Sequence, residues 1–353
     1  MITLGIECTA HTFGIAILKD KKFLCNLRDM YKTEKGGIIP IDAAKHHEQV
    51  KYKLLDDALN TSKIKIADID LIAVSNAPGL SPCLLQGLRF AKELSEKYNK
   101  PIVPVNHCVS HLEIGEITGA KDPVLLYCSG ANTQVIAYAA GKYRIFGETL
   151  DLGIGNFIDT FARYAGIGFP GAPKIEELAM KSKNKNSLIQ LPYSVKGMDV
   201  AFAGLLTNLR QKLDSAQKSE DFWHAKNKDV FERKKYSLED LSFSLQETAF
   251  AMLIEVAERA MAHLGKKELL LGGGVACNKR LCEMARIMCK ERGARCFVPD
   301  REFLVDNAGM ISWLGTKMFK SGIKIMPKTK AFKDLDIKPY QRTDDVDVKW
   351  RKD

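Results

Sequence analysis

Twice along this chain, three short strand-like runs separated by turns give way to alternating strand and helix patterns. This recurrence restricts the fold more than any other feature. The first trio is ITLGIE (2–7), FGIAIL (13–18) and FLCNLRDM (23–30); the second is VLLYCS (124–129), QVIAYAA (134–140) and YRIFGE (143–148). Their β-branched and apolar content, bounded by turn residues, is the signature of strands. After the first trio come a helical pattern over 42–60, a strand at 70–75, a helix over 84–98 and a strand at 101–105. After the second come helices over 153–165, 173–183 and 241–264, then strand 268–274, helix 276–292, strand 295–298 and helix 306–320. The simplest architecture is α/β, with two similar halves around a cleft. The repetition is one of pattern, not of identity.

The expected division is 1–122 for one half and 123–325 for the other. Residues 212–236 interrupt the second half: twelve of the 25 are charged, with mixed signs, which reads as a surface insertion. From 326 to 353 no period persists, and the basic residues Lys349, Arg351 and Lys352 suggest a tail that contacts RNA or a partner.

Composition narrows the function classes. No apolar run is long enough to span a bilayer, and MITLGIECTA has no basic region ahead of an apolar stretch, so the cytoplasm is the expected location. Nine cysteines occur singly with no CxxC pair, which argues against a zinc ribbon and for buried thiols. A net charge of +10 permits a polyanionic partner without requiring one.

Three groups of residues carry chemistry. In NHCVSHLEIG (106–115), His107 and His111 stand four apart, so on a helix both rings share one face and can hold one divalent ion. Two unrelated helix histidines would give the same spacing. Cys108 occupies the place of the HExxH glutamate, which counts against a metalloprotease. In FLVDNAGM (303–310), Asp306 can supply a carboxylate ligand or simply cap the helix that follows.

The glycine turns form the second group. LGIECTAHTFG (4–14), YCSGANT (127–133) and GGGVACN (272–278) can present backbone N–H groups to a nucleotide, and the last opens a helix. No GxxxxGK[ST] occurs, which excludes a P-loop. The third group is LDLGIGNFIDTFAR (150–163) with GFPGAPKIEELA (168–179), where Asp159 and Glu176 lie on helices beside Gly/Pro loops and can accept from ribose hydroxyls or an amine. Helix charges near an N-terminal dipole would look the same.

Together these segments resemble the TsaD family of tRNA N6-adenosine threonylcarbamoyltransferases, in the archaeal and eukaryotic branch found as the catalytic subunit of the KEOPS complex. GIECTAHTFGIAI, APGLSPCLLQGLRFAKEL, VNHCVSHLEIG, YCSGANTQVIAY, LPYSVKGMDVAFAGL, GGGVACNKRL and DNAGMISWLG carry the likeness, over roughly residues 1–325. The resemblance implies the ASKHA fold of sugar kinases, actin and heat-shock ATPases, and an acyltransferase. Its donor would be L-threonylcarbamoyl-adenylate, and its acceptor the tRNA adenosine 3′ of the anticodon. It implies a metal, iron or zinc, on His107, His111, Tyr127 and Asp306. It places the adenylate, or ATP or AMP, against Tyr127, Cys128, Ser129, Gly130, Ala131, Asp159, Ala172, Glu176, Gly273 and Asn278. The partners implied are tRNA and other KEOPS subunits, including a small kinase on a separate chain. The chain departs from the family pattern at Ala131, where SGGNT is usual, at Ala172, where PGGP is usual, and at Ala203, where AFSGL is usual.

On this reading His107, His111 and Asp306 serve catalysis through the metal, and direct transfer is expected because no Ser/His/Asp triad is visible. The rivals are an ASKHA ATPase or small-molecule kinase, with Glu7 in place of the usual phosphate-strand aspartate, a metallopeptidase, and a non-catalytic scaffold in a tRNA-modifying assembly.

Overall fold

The computed structural model describes residues 1–33, 37–183, 188–221 and 236–351. The first sheet contains β1 (Ile2–Glu7), β2 (Thr12–Lys19), β3 (Lys22–Met30), β4 (Leu71–Ala77) and β5 (Ile102–Asn106), in the order β3-β2-β1-β4-β5. β1, β2 and β3 form antiparallel pairs, whereas β4 and β5 run parallel to β1. α1 (Pro40–Ser62) and α2 (Ser81–Tyr98) join these strands, and α3 (His107–Glu113) follows β5 without a loop.

The second sheet repeats the topology. β6 (Val124–Cys128), β7 (Thr133–Ala139) and β8 (Lys142–Glu148) are antiparallel neighbours; β9 (Val195–Lys196) and β10 (Asp199–Val200) form a separate small ribbon. β11 (Glu268–Gly272) and β12 (Arg295–Phe297) run parallel to β6, giving the order β12-β11-β6-β7-β8. Each trio read from the sequence is therefore the antiparallel portion of a sheet that parallel strands extend. The helices of this part are α4 (Ile154–Tyr164), α5 (Ala172–Lys181), α6 (Ala203–Asp221), α7 (Leu238–Leu264), α8 (Lys279–Glu291), α9 (Arg301–Leu304), α10 (Ala308–Lys320) and α11 (Lys330–Lys333). The helix expected over 276–292 starts as a 3-10 turn, Gly274–Cys277, and becomes α-helical only after Asn278.

α3 and α10 fill the space between the sheets. One apolar cluster contains Ala73 and Val105 of the first sheet, Val109 and Leu112 of α3, Leu125 and Leu270 of the second sheet, and Met310 and Leu314 of α10. α10 belongs by sequence to the second half, yet it packs on the first sheet. Thr316 hydrogen-bonds Thr3 at 2.7 Å, and a Cβ at Gly5 would lie 2.4 Å from the Ala308 carbonyl oxygen, so only glycine lets strand and helix approach this closely.

Two expectations change in detail. The expected insertion at 212–236 begins inside a helix, because α6 runs through Asp221; residues 222–235 lie outside the described residues. The segment from 326 onward, expected to leave the body as a tail, instead runs back over it. Phe332, Thr343 and Val346 are buried, and the Trp350 indole N–H donates to Glu113 at 2.9 Å. Apolar anchors spaced along an irregular segment bury it without leaving a periodic signal.

Candidate metal centre and adjoining cleft

The geometry begins with β1. It is buried along nearly its whole length and ends in Glu7, which has no exposed surface. A carboxylate at such a place requires partners, and it has them: the N–H and hydroxyl of Thr9 both donate to Oε1, and Oε2 lies 3.0 Å from Nδ1 of His107. The Thr9 hydroxyl is itself 3.2 Å from that Nδ1. His107 is the first residue of α3, whose N-cap is Asn106, with its side chain accepting from the Val109 N–H at 3.1 Å. The cap fixes where α3 starts, and with it the direction of both rings.

One turn later His111 stands beside His107, with ring centroids 4.9 Å apart and planes at 77°. Asp306, just ahead of α10, comes in from the far end of the chain. Its Oδ1 is 3.3 Å from His107 Nε2 and 3.8 Å from His111 Nε2, and the donor atoms of all three residues lie within 4.8 Å of one another. Ligands about 2.1 Å from a shared ion in a tetrahedral array sit roughly 3.4 Å apart, so the spacing suits one ion. Asp306 does not cap α10. Asn307 does so, accepting from the Met310 N–H at 3.0 Å, which leaves the Asp306 carboxylate for the histidines.

The electrostatics agree with this arrangement. Burial works against a charged His107 ring, but Glu7 and Asp306 on its two nitrogens outweigh it and hold its pKa well above the ordinary value. Asp306 is driven well below the carboxylate range; its own burial opposes this, and His107 is the main counterweight. His111 moves the other way, because burial disfavours its charge. Neither ring nitrogen of His111 has a hydrogen-bond partner although the ring is buried. An orphaned, neutral imidazole pointed at a carboxylate and a second imidazole is the condition in which a histidine ligates. The residues present therefore fit a divalent ion.

Tyr127, next to the end of β6, lies beside His111, with ring centroids 5.0 Å apart, and burial pushes its phenol pKa well up. The remaining expected contacts line the second half. Ser129 closes a turn through its hydroxyl and Asn132, and Gly130 and Ser129 carbonyls accept from the start of α4. Ala131 is exposed at the tip of that turn. Gly273 has φ of 87°, and a Cβ there would lie 2.3 Å from the Cys128 carbonyl oxygen, so this turn passes against the first one only as glycine.

Asp159 of α4 accepts from the N–H groups of Gly171 and Ala172 at 2.8 and 3.2 Å, which holds the start of α5; burial raises its pKa, and those N–H groups only partly offset the rise. Glu176 accepts from the Lys279 N–H at 2.9 Å, and Asn278 caps α8 through Arg280 and Leu281 while its amide donates to Gln246 at 2.8 Å. Glu176 and Asn278 thus meet at the N-terminus of α8, and Asp159 and Ala172 at that of α5, none of them at the histidines. The Cys128 side chain is fully buried in the apolar core of the second half, so a ligand contact there would be through its backbone. Ala203 is explained by a residue the motif reading passed over, since Asp151 accepts from the N–H groups of Phe202 and Ala203, both at 2.8 Å, and takes over the capping of α6.

Glu7 and Thr9, which contact His107, do not stand out in the motifs. The available signal was a charged residue embedded in an otherwise apolar strand.

Two α/β halves of matching topology, with a His/His/Asp cluster between them and glycine turns on one side, define an ASKHA-class protein with a metal-competent cleft. The chain belongs to the TsaD family: the family model described as tRNA N6-adenosine threonylcarbamoyltransferase matches residues 24–313. A tRNA N6-adenosine threonylcarbamoyltransferase of Thermococcus kodakarensis is 50% identical over 350 residues, covering 99% of this chain and 100% of the relative. A Thermoplasma acidophilum protein named "Probable bifunctional tRNA threonylcarbamoyladenosine biosynthesis protein" is 47% identical, and the match spans 99% of this chain but 61% of that one. The fold is shared with T. kodakarensis HypF, at a TM-score of 0.58 and 13% identity over 91% of this chain and 48% of HypF.

Proposed function

We propose that this chain is an acyltransferase that moves the threonylcarbamoyl group from L-threonylcarbamoyl-adenylate to N6 of the adenosine 3′ of the tRNA anticodon. The lone pair of N6 attacks the carbamoyl carbon, the bond from that carbon to the phosphate oxygen breaks, AMP leaves with the electron pair, and N6 loses a proton. The observation that carries this reading is the convergence of His107, His111 and Asp306 between the halves of a chain that belongs to this family.

Those three residues, with Tyr127 beside them, would hold one divalent ion, iron or zinc; imidazole, phenolate and carboxylate donors suit either. When bound, it supplies Lewis acidity and a template for donor oxygens. The chain's own residues do the rest. Glu7 fixes the tautomer and orientation of His107. The turns at Ser129–Ala131 and Gly273, with Asp159, Ala172, Glu176 and Asn278 behind them, offer N–H groups and the α8 dipole to the adenylate. Ala131, whose methyl is exposed, and Ala172, whose N–H is committed to Asp159, leave this backbone in place.

The partners proposed are tRNA and other KEOPS subunits, including a small kinase on a separate chain. The proposed location is the cytoplasm; among the described residues no helix is long and apolar enough to cross a membrane. The test is transfer to tRNA from supplied donor by the full-length protein and by a His107→Ala/His111→Ala variant, with metal content measured on both. Loss of metal together with loss of transfer supports the reading. Undiminished transfer by the variant overturns it.

A further inference from the structure

Residues 338–341 form a closed β-turn, with the Gln341 N–H donating to the Lys338 carbonyl at 3.1 Å and Pro339 in the second position. At its tip the Tyr340 side chain is 92% exposed, more than any other large apolar or aromatic residue among those described. An aromatic ring left in water is usually on a loose segment, but this one is not. The Lys338 N–H donates to the Asn76 carbonyl at 2.8 Å, the Gly79 N–H donates to the Pro339 carbonyl at 3.1 Å, and the Asn106 amide donates to Gln341 Oε1 at 3.3 Å.

These anchors lead directly to the cluster. Asn106 is the N-cap of the helix that opens with His107. The residue after Gly79, Leu80, donates its N–H to the Thr9 carbonyl at 2.8 Å, and the Thr9 hydroxyl is 3.2 Å from His107 Nδ1. The backbone of the turn is therefore fastened, on two sides, to the residues that hold His107.

We propose that Tyr340 is a stacking platform for a nucleobase of the tRNA anticodon loop next to the acceptor adenosine. This rests on the reading of the acceptor given above. Single-stranded loops are recognised by stacking splayed bases on aromatic rings, and a ring whose backbone is already fixed loses little entropy on doing so. A protein partner would call for an apolar patch around the ring. The sequence neighbours of Tyr340 are Lys338, Pro339, Gln341 and Arg342, and Lys338 is exposed. Arg342 is ion-paired with Glu148 and Asp344, so the exposed Lys338 supplies the positive charge beside the ring, a polar setting that suits a base with its phosphate.

The test uses full-length protein, with Tyr340→Ala, Tyr340→Phe and Tyr340→Trp variants, and tRNA with or without a base at each loop position flanking the acceptor. Tyr340→Ala is expected to weaken tRNA binding about tenfold, while Phe and Trp retain it and metal content and thermal midpoint stay unchanged. On tRNA abasic at the stacked position, the Ala substitution should have no further effect, and 2-aminopurine placed there should be quenched by wild type but not by Tyr340→Ala. Wild-type affinity in Tyr340→Ala, or loss of a protein partner in place of tRNA, would overturn the platform. A wild-type protein that neither binds nor modifies tRNA would overturn the assigned function instead, which keeps the two failures distinct.

Discussion

Nδ1 of His107 lies 3.0 Å from Oε2 of Glu7, a carboxylate with no exposed surface at the end of the first strand. This contact faces away from Asp306, which meets the other nitrogen of the same ring at 3.3 Å. A ligand histidine whose second nitrogen is held by a carboxylate is both oriented and made more basic. Glu7→Gln should therefore weaken binding of iron or zinc by about 10- to 100-fold, read by competition with a chelator of known affinity. An unchanged affinity would mean that Glu7 serves only the strand.

The pH dependence of metal binding follows from the same pair. Without metal, Glu7 and Asp306 keep His107 protonated above the pH at which a free histidine loses its proton. The ion must displace that proton, so affinity rises with pH through the range in which His107 carries it. His111, whose pKa is lowered by burial, binds already neutral. About one proton should be released from His107 per ion bound, and a second if Tyr127 binds as phenolate, measurable by calorimetry in buffers of different ionisation enthalpy. Binding without proton release would contradict the assignment of charge to His107.

The last described segment braces α3 from its other side. Glu113, at the end of that helix, is buried and accepts from Tyr143, Lys317 and the Trp350 indole. Trp350→Ala leaves a buried carboxylate with one donor fewer, which should cost about 1–3 kcal/mol, read as a lower denaturant midpoint with unchanged slope. Stability equal to wild type would show that this segment adds nothing to the body.

Asp151 offers a simpler test. Its two backbone acceptances at the start of α6 lower its pKa against the effect of burial. A carboxylate with a depressed folded-state pKa contributes stability that is fully present above its unfolded pKa and fades as pH falls through the folded one. Asp151→Ala should cost about 1 kcal/mol at neutral pH, and the difference from wild type should shrink in acid. A penalty independent of pH would assign the effect to packing.

Much of this was legible in the sequence because it is local. The two trios of strands, the longer helices apart from α6, and the shared face of His107 and His111 follow from spacing over a few residues; α6 does not, because its charged second half reads as an insertion. Asp306 was named through its motif, but nothing in spacing decided between ligand and cap; the structure decides it by giving the cap to Asn307. What stayed hidden depends on contacts across the chain. That α10 packs on the first sheet follows from Ala308, Ser312 and Gly315 meeting Gly5 and Ala73, a stripe of small residues whose partner no periodicity reveals. Glu7 enters the sequence reading only as a stand-in for the phosphate-strand aspartate of a kinase, and its contact here needs a histidine 100 positions away. The course of residues 326–351 was hidden for the opposite reason, since its anchors are too irregular to give any period.

Anomalous diffraction from crystals of the full-length protein loaded with zinc or iron, collected at the metal edge, bears most directly on the cluster. The expected result is one strong peak between the two imidazoles, about 2.0–2.2 Å from a nitrogen of His107, a nitrogen of His111 and an oxygen of Asp306, and lost in His107→Ala/His111→Ala. A loaded protein with no peak there, or with its metal bound by other residues, would contradict it.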